Sequence, residues 1–469
     1  MSFSDVSFLY IFLPIFLLLY YFSAREIRNG LLFLGSLVFY AFGCLEQPLY
    51  LLLLIAVLGI TYGVGRWLQS AQKGRRAILA VTVCLLALPL IFYKYTDFFF
   101  RGTGRFLALL GKHVTVPQLG LLLPLGLSFY LFQAVAYLVD VYRRDCEAET
   151  DFLSFGAYLC MFPYLLSGPL VSYSHLRPAM ASRTLGLSDL ADGLRLFLVG
   201  LGFKVLLADN VGGLWREVTK IGCDSISTGL AWAAIWAFAF QLYFDFYGYS
   251  LMAKGLGRML GFSLPDNFRE PYMSRSMTDF WRRWHITLGQ WFKNYVYIPL
   301  GGNRAGALRT VINLGVVWLF TGLWHGAASN FLVWCFVLFL LILGEKFIYK
   351  KYLDKFPVLG HLYMLLMIPL CWMIFAIDGI SGMGVYLGKL FPFLPTHLPA
   401  LSGCYMPEVG MCYVPYLAAG AVFSTGLPRR LYEKYKDTPV MTVLLALVMV
   451  ACIYCICQGA NDPFMYFRF

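Results

Sequence analysis

Long runs without a charged residue dominate the chain, and its polar residues gather in short stretches between them. A bilayer span needs about 20 apolar residues. Runs near that length or longer cover residues 6–24, 29–45, 47–65, 77–93, 114–139, 152–174, 225–244, 310–344, 356–377, 409–428 and 438–461. A weaker one at 194–207 is flanked by Arg195 and Lys204. Each reads as helix, because an open strand leaves backbone groups unpaired in lipid. The pattern predicts an all-α polytopic membrane protein with about eleven or twelve transmembrane or re-entrant helices. It shows no internal repeat or low-complexity tract, so residues 1–469 read as one integral membrane domain.

The longest stretch between these runs is residues 254–309, with nine basic and three acidic residues. It is too aromatic for a solvated loop, carrying Phe262, Phe268, Tyr272, Phe280, Trp281, Trp284, Trp291, Phe292, Tyr295 and Tyr297. At 100° per residue, residues 279–295 place Phe280, Trp281, Trp284, Leu288, Trp291, Phe292 and Tyr295 on one face. Arg282, Arg283, Thr287, Gln290, Lys293 and Asn294 fall on the other. The spacing predicts one amphipathic helix in the interface or folded back among the spans, with Thr278-Asp279 at its start. His285 lies at the edge of the apolar face. It reads equally well as an interfacial histidine and as a functional one.

Residues 310–344 hold 35 positions without Asp, Glu, Lys or Arg. One helix of that length is roughly 50 Å long, against a hydrocarbon core of about 30 Å. It must break, and Thr321-Gly-Leu-Trp-His-Gly326 is where glycines flank Trp324 and His325. A broken helix at membrane depth lines a cavity or is buried in protein. An ionisable residue there is functional by default, so His325 is the strongest catalytic candidate. A third polar group is Gln241, Asp245 and Tyr249, four apart on one helical face. Asp245 needs a partner: it orients a histidine, meets an arginine of the following segment, or makes a buried structural hydrogen bond.

Composition narrows the class. The 469 residues are 60% hydrophobic and 13% charged, about half the usual charged fraction. That excludes a soluble enzyme, a nucleic-acid-binding domain and a disordered chain. The net charge of +12 sits in short loops, which reads as positive-inside topology. Residues 66–76 and 429–437 are the basic loops to place in the cytoplasm, and counting spans from them puts both termini outside. The start lacks a basic leader and reads as an uncleaved first helix. Cys452-x-x-Cys455 lies inside an apolar run and reads as packing, since a redox pair needs an accessible thiolate. Cys404 and Cys412 are a weak candidate pair. Gly255-Leu-Gly257-Arg-Met-Leu-Gly261 misses the dinucleotide spacing, and there is no P-loop, zinc spacing or nucleophile elbow.

Three strings carry a family resemblance: Asp279-Phe-Trp-Arg-Arg-Trp-His-Ile-Thr-Leu288, Tyr297-Ile-Pro-Leu-Gly-Gly-Asn-Arg304 and Thr321-Gly-Leu-Trp-His-Gly326. With Leu123-Pro-Leu-Gly-Leu-Ser-Phe-Tyr130, Phe162-Pro163, Ser167-Gly-Pro169, Ala208-Asp-Asn210 and Asn461-Asp-Pro-Phe-Met-Tyr-Phe467, the chain resembles the membrane-bound O-acyltransferases, bacterial alginate O-acetylation branch. The resemblance implies a helical bundle with a central funnel, with His325 catalytic and His285 supporting it. It implies acyl transfer, with acetyl-CoA or another cytoplasmic thioester as donor substrate and no tightly bound cofactor or metal. The acceptor is an extracytoplasmic polysaccharide, reached directly or through a serine of an SGNH-type partner protein. Trp324, Asp245, Tyr249, Trp281, Arg282 and Arg283 are the accompanying substrate-binding candidates, and Arg282, Arg283 and Lys293 suit donor phosphates. The implied location is the bacterial cytoplasmic membrane. Two other readings compete: D-alanyl transfer to teichoic acid from a carrier protein, and a transporter or flippase of lipid-linked sugars. The latter calls for a coupled ion site or inverted repeats.

Overall fold

The computed structural model describes residues 2–112, 114–304, 306–393, 407–459 and 464–465. Among the described residues every regular element is helical. Among the described residues, seven helices are long and apolar enough to cross a membrane. A further apolar pair, Gly410–Phe423 and Gly426–Tyr435, is bent by 72°, the shape of a broken span or a re-entrant loop. The remaining apolar runs form shorter helices, which accounts for the larger number of segments in the sequence pattern. The run at 114–139 becomes helix only from Leu127, after Pro117 and Pro124. Gly126 turns the chain there at φ +68°, and a Cβ would sit 2.5 Å from the Leu165 carbonyl oxygen. The run at 152–174 is cut into Phe152–Cys160 and Phe162–Leu165, with Pro163 at the start of the second piece. Cys404, one half of the candidate Cys404–Cys412 pair, and most of residues 461–467 lie outside the described residues.

The chain divides into two compact units. The first comprises Met1–Leu194 and Ala253–Pro265. Its core is aromatic: Phe162 meets Phe12, Phe16 and Phe39 with ring centroids 5.5, 5.4 and 5.5 Å apart. Asp151 caps Phe152–Cys160 by accepting from the Leu153 and Ser154 N–H groups. Arg183 is held between Tyr20 and Asn29 and lies over the Phe262 ring.

The second unit comprises Arg195–Met252 and Asp266–Phe469 and contains both candidate histidines. Six helices matter to the site: α1 (Thr228–Met259), α2 (Met277–Arg283), α3 (Ile286–Phe292), α4 (Gly306–His325), α5 (Ser329–Gly344) and α6 (Pro357–Ala376). In α1, 78% of the most apolar window is buried, against 11% for Pro439–Cys457. The first is therefore an interior helix and the second a lipid-facing one, which is why α1 can carry Gln241 and Asp245. Asp245 meets Lys204 at 3.1 Å, and Lys204 also pairs with Asp209. All three side chains are buried. Lys204 and Asp209 are five apart across the π-helical turn Phe203–Ala208, where residues five apart lie on one face. Asp245 also accepts the Met465 N–H at 2.8 Å. Asp245 thus meets a lysine upstream, a partner the sequence reading did not name.

Candidate active site

The predicted amphipathic helix is two helices with His285 at the joint. Ser276 Oγ accepts the Asp279 N–H at 3.1 Å and starts α2. Glu345, fully buried, accepts the Met277 N–H at 2.5 Å, the Thr278 N–H at 2.8 Å and the Thr278 hydroxyl at 2.6 Å. The helix stops at Arg283 because the chain pairs sideways. The Arg269 N–H donates to the Arg283 carbonyl at 2.9 Å, and the Ile286 N–H donates to the Asn267 carbonyl at 2.9 Å. His285 takes φ +45° and becomes the residue before α3. A left-handed residue that is not glycine costs on the order of 1–3 kcal/mol and clusters at functional sites. The apolar face holds on both sides of the joint, with Phe280, Trp284, Leu288 and Phe292 buried. Thr287, expected on the polar face, is buried as well, because the kink turns it toward Asn267.

His285 is 3% exposed, so it is not an interfacial, snorkelling side chain. Its Nδ1 lies 3.1 Å from Asn267 Oδ1, and the Phe246 ring packs edge-on at 4.8 Å. Burial pushes its pKa down to about 3, which keeps the imidazole neutral at working pH. His325 ends α4 as the break predicts, and α5 restarts at Ser329. The His325 ring is enclosed by Trp324, Trp334 and Phe375, with centroids 4.5, 5.2 and 5.1 Å away. Trp324 reaches toward His285 too, at 6.4 Å.

Both histidines line one cavity of about 600 Å³. Trp281, Trp318, Trp334 and Trp372 form much of its wall, and Arg282 and Lys293 also line it. The walls are mostly apolar with a few convergent polar groups, the usual make-up of a small-molecule site. Of the sequence candidates, His285, His325, Trp281 and Arg282 border the cavity. Trp324, Arg283, Asp245 and Tyr249 do not. Trp324 packs behind both histidines, Arg283 pairs with Asp279 at 3.0 Å, and Tyr249 stacks on Phe464 at 4.7 Å. Sequence reasoning passed over Asn267, Trp334, Trp372 and the Lys204–Asp209 pair. An acid and a base five apart in an apolar run were a usable signal for the last. Nothing in the spacing marked Asn267. Among the described residues no cluster of three or more His, Cys, Asp or Glu could hold a metal ion.

The family model described as the membrane-bound O-acyltransferase family matches residues 147–388, which include both histidines. A protein of Pseudomonas putida named a probable alginate O-acetylase is 32% identical over the whole of both chains. A peptidoglycan O-acetyltransferase of Helicobacter pylori is 36% identical over 71% of this chain and 68% of its own. A teichoic acid D-alanyltransferase of Streptococcus thermophilus is 25% identical over 67% of this chain and 75% of its own. With a family match over more than half its length, several membrane-crossing helices and a full-length relative of that kind, the chain belongs to the membrane-bound O-acyltransferase family and is a multi-pass membrane O-acyltransferase.

Proposed function

We propose that the protein takes an acetyl group from cytoplasmic acetyl-CoA and delivers it toward the hydroxyl groups of an extracytoplasmic polysaccharide. The observation that carries this reading is the placement of His285 and His325 on the wall of one apolar cavity that also holds Arg282 and Lys293. In this scheme the thioester carbonyl sits in the cavity with the donor's phosphates toward the two basic side chains. A neutral His325 takes the proton of the attacking hydroxyl as its oxygen bonds to the carbonyl carbon. The tetrahedral intermediate then collapses, the C–S bond breaks, and the thiolate leaves with the proton returned by His325. His285 orients the reactants. Trp324 holds both rings, and Arg283 acts through Asp279 to steady α2. The acceptor hydroxyl belongs to the polymer or to a serine of an SGNH-type partner protein that passes the group on. The site of action is the bacterial cytoplasmic membrane, with the basic loop at 66–76 inside and both termini outside.

Purified protein in vesicles, loaded inside with acetyl-labelled CoA, tests this. Label should appear on an external polysaccharide or partner serine, and not when the acetyl-CoA is outside. Transfer of D-alanine from a carrier protein in the same vesicles, with none from acetyl-CoA, would replace the reading with the D-alanyl one.

A further inference from the structure

Asn267 is 2% exposed, and its side-chain oxygen faces three donors or potential donors. The Thr287 hydroxyl lies 3.0 Å away, the Thr287 N–H 3.3 Å, and His285 Nδ1 3.1 Å. A backbone N–H can only donate, so the amide cannot be turned over without setting its NH₂ against the Thr287 N–H. Its own Nδ2 is buried without a hydrogen-bond partner among the described residues. An amide that leaves its NH₂ unsatisfied is oriented by what its oxygen accepts. The main chains are clamped at the same place by the Ile286 N–H to Asn267 carbonyl bond. A carbonyl oxygen accepts and never donates, so the proton in the His285–Asn267 bond belongs to Nδ1.

We propose that Asn267 is a positioning residue that fixes His285 in the tautomer protonated on Nδ1, leaving the lone pair on Nε2. Burial keeps the ring neutral, so it has one proton to place and Asn267 decides where. A neutral His285 in this state offers Nε2 as an acceptor. It cannot donate from Nε2 to a thioester carbonyl or an oxyanion. The supporting histidine therefore holds a group that carries a proton, such as the acceptor hydroxyl, and does not polarise the acyl carbonyl. This last step rests on the acyl-transfer reading of the cavity; the tautomer does not.

Solid-state nitrogen NMR of ¹⁵N-histidine-labelled protein in vesicles reads the tautomer directly, with His285→Gln protein assigning the signal. The expected spectrum has a protonated Nδ1 and an unprotonated Nε2. A proton on Nε2 overturns the proposal whatever the activity shows. The second arm is the Asn267→Asp variant, which keeps an acceptor but adds a charge that favours the imidazolium. Its activity per folded molecule should acquire a new acidic limb, falling about tenfold per pH unit below it. Thr287→Val removes one donor to the same oxygen and leaves the tautomer alone, so it should show no such limb. An Asn267→Asp profile of wild-type shape, or the same limb in Thr287→Val, also overturns the proposal. Normal activity of a His325→Ala protein would instead sink the acyl-transfer reading and leave the tautomer standing.

Discussion

At the scale of single residues, the two histidines differ in what surrounds them, and they should fail differently. His325 is walled by the rings of Trp324, Trp334 and Phe375, while His285 is held by the Asn267 side chain. His325→Ala should cut acyl transfer per folded molecule by about 10²–10⁴, the usual loss for a general base, with membrane levels near normal. His285→Ala should cost less. If truncation lowers yield and activity in parallel, the ring is packing and no base. His285 also makes a pH prediction. Its folded pKa of about 3 lies below the value of about 6.5 for an exposed histidine. Between those values the unfolded chain binds a proton that the folded one refuses. Folded stability is therefore full above about pH 6.5 and declines as pH falls toward 3, by up to about 1.4 kcal/mol per unit. In detergent, wild-type melting temperature should drop between pH 7 and 5 by more than that of His285→Gln. Equal drops would show that the ring is not held neutral by burial.

At the scale of elements, the break in the 310–344 run was legible because length alone forbids one helix and the glycines beside Trp324 and His325 mark the place. The kink at His285 was not legible. It depends on backbone pairing with Asn267 and Arg269, some fifteen residues upstream, and a periodicity argument sees only local spacing. The same limit hid the partner of Asp245, since Lys204 lies on another helix. Glu345 was invisible for a similar reason: a lone acid at the end of an apolar run looks like a helix terminus, yet it caps α2 from a distance. That contact sets an expectation. Glu345→Ala leaves two N–H groups and a hydroxyl at the start of α2 without their acceptor, a loss of about 1–3 kcal/mol each where burial is complete. Glu345→Gln keeps an acceptor oxygen and should recover part of it. The readout is protease cleavage within residues 266–304 on folded protein. This segment should be cut far more slowly than the loop at 66–76 in wild type, and faster in Glu345→Ala. Equal cutting of the two regions in wild type would mean the segment is not packed.

At the scale of the whole molecule, composition and run length pointed to the membrane class, and the motif strings carried a resemblance to the family that the family match and the full-length relative show. What they could not supply was how many apolar runs cross in one piece, because short helices around Pro163 and a 72° bend look like spans in a hydropathy count. The protein should resist carbonate extraction. In a cysteine-depleted background, Ala71→Cys should be protected from an impermeant thiol reagent in intact cells, and Gln47→Cys, at an exposed position one span away, should be labelled. The reverse pattern would invert the proposed orientation. Lys204→Met should lower the amount of folded protein sharply, because removing one member of a buried charge group costs about 3–5 kcal/mol. Normal accumulation of that variant would mean that the acids do not depend on the lysine.

The hydrogen bond between Asp245 and Met465 joins positions 220 residues apart, and that separation has a consequence in time. At about 5–20 residues per second, a ribosome needs on the order of 10–40 s to make the intervening chain. Throughout that interval Lys204, Asp209 and Asp245 are already synthesised, while one backbone donor to Asp245 does not yet exist. Nascent chains should therefore pass through a long-lived incomplete state in which this carboxylate lacks a hydrogen bond of the finished fold. A pulse-chase experiment with proteolysis should find that cohort maturing together once Met465 has been added, so the quality-control proteases of the membrane have tens of seconds in which to judge each copy.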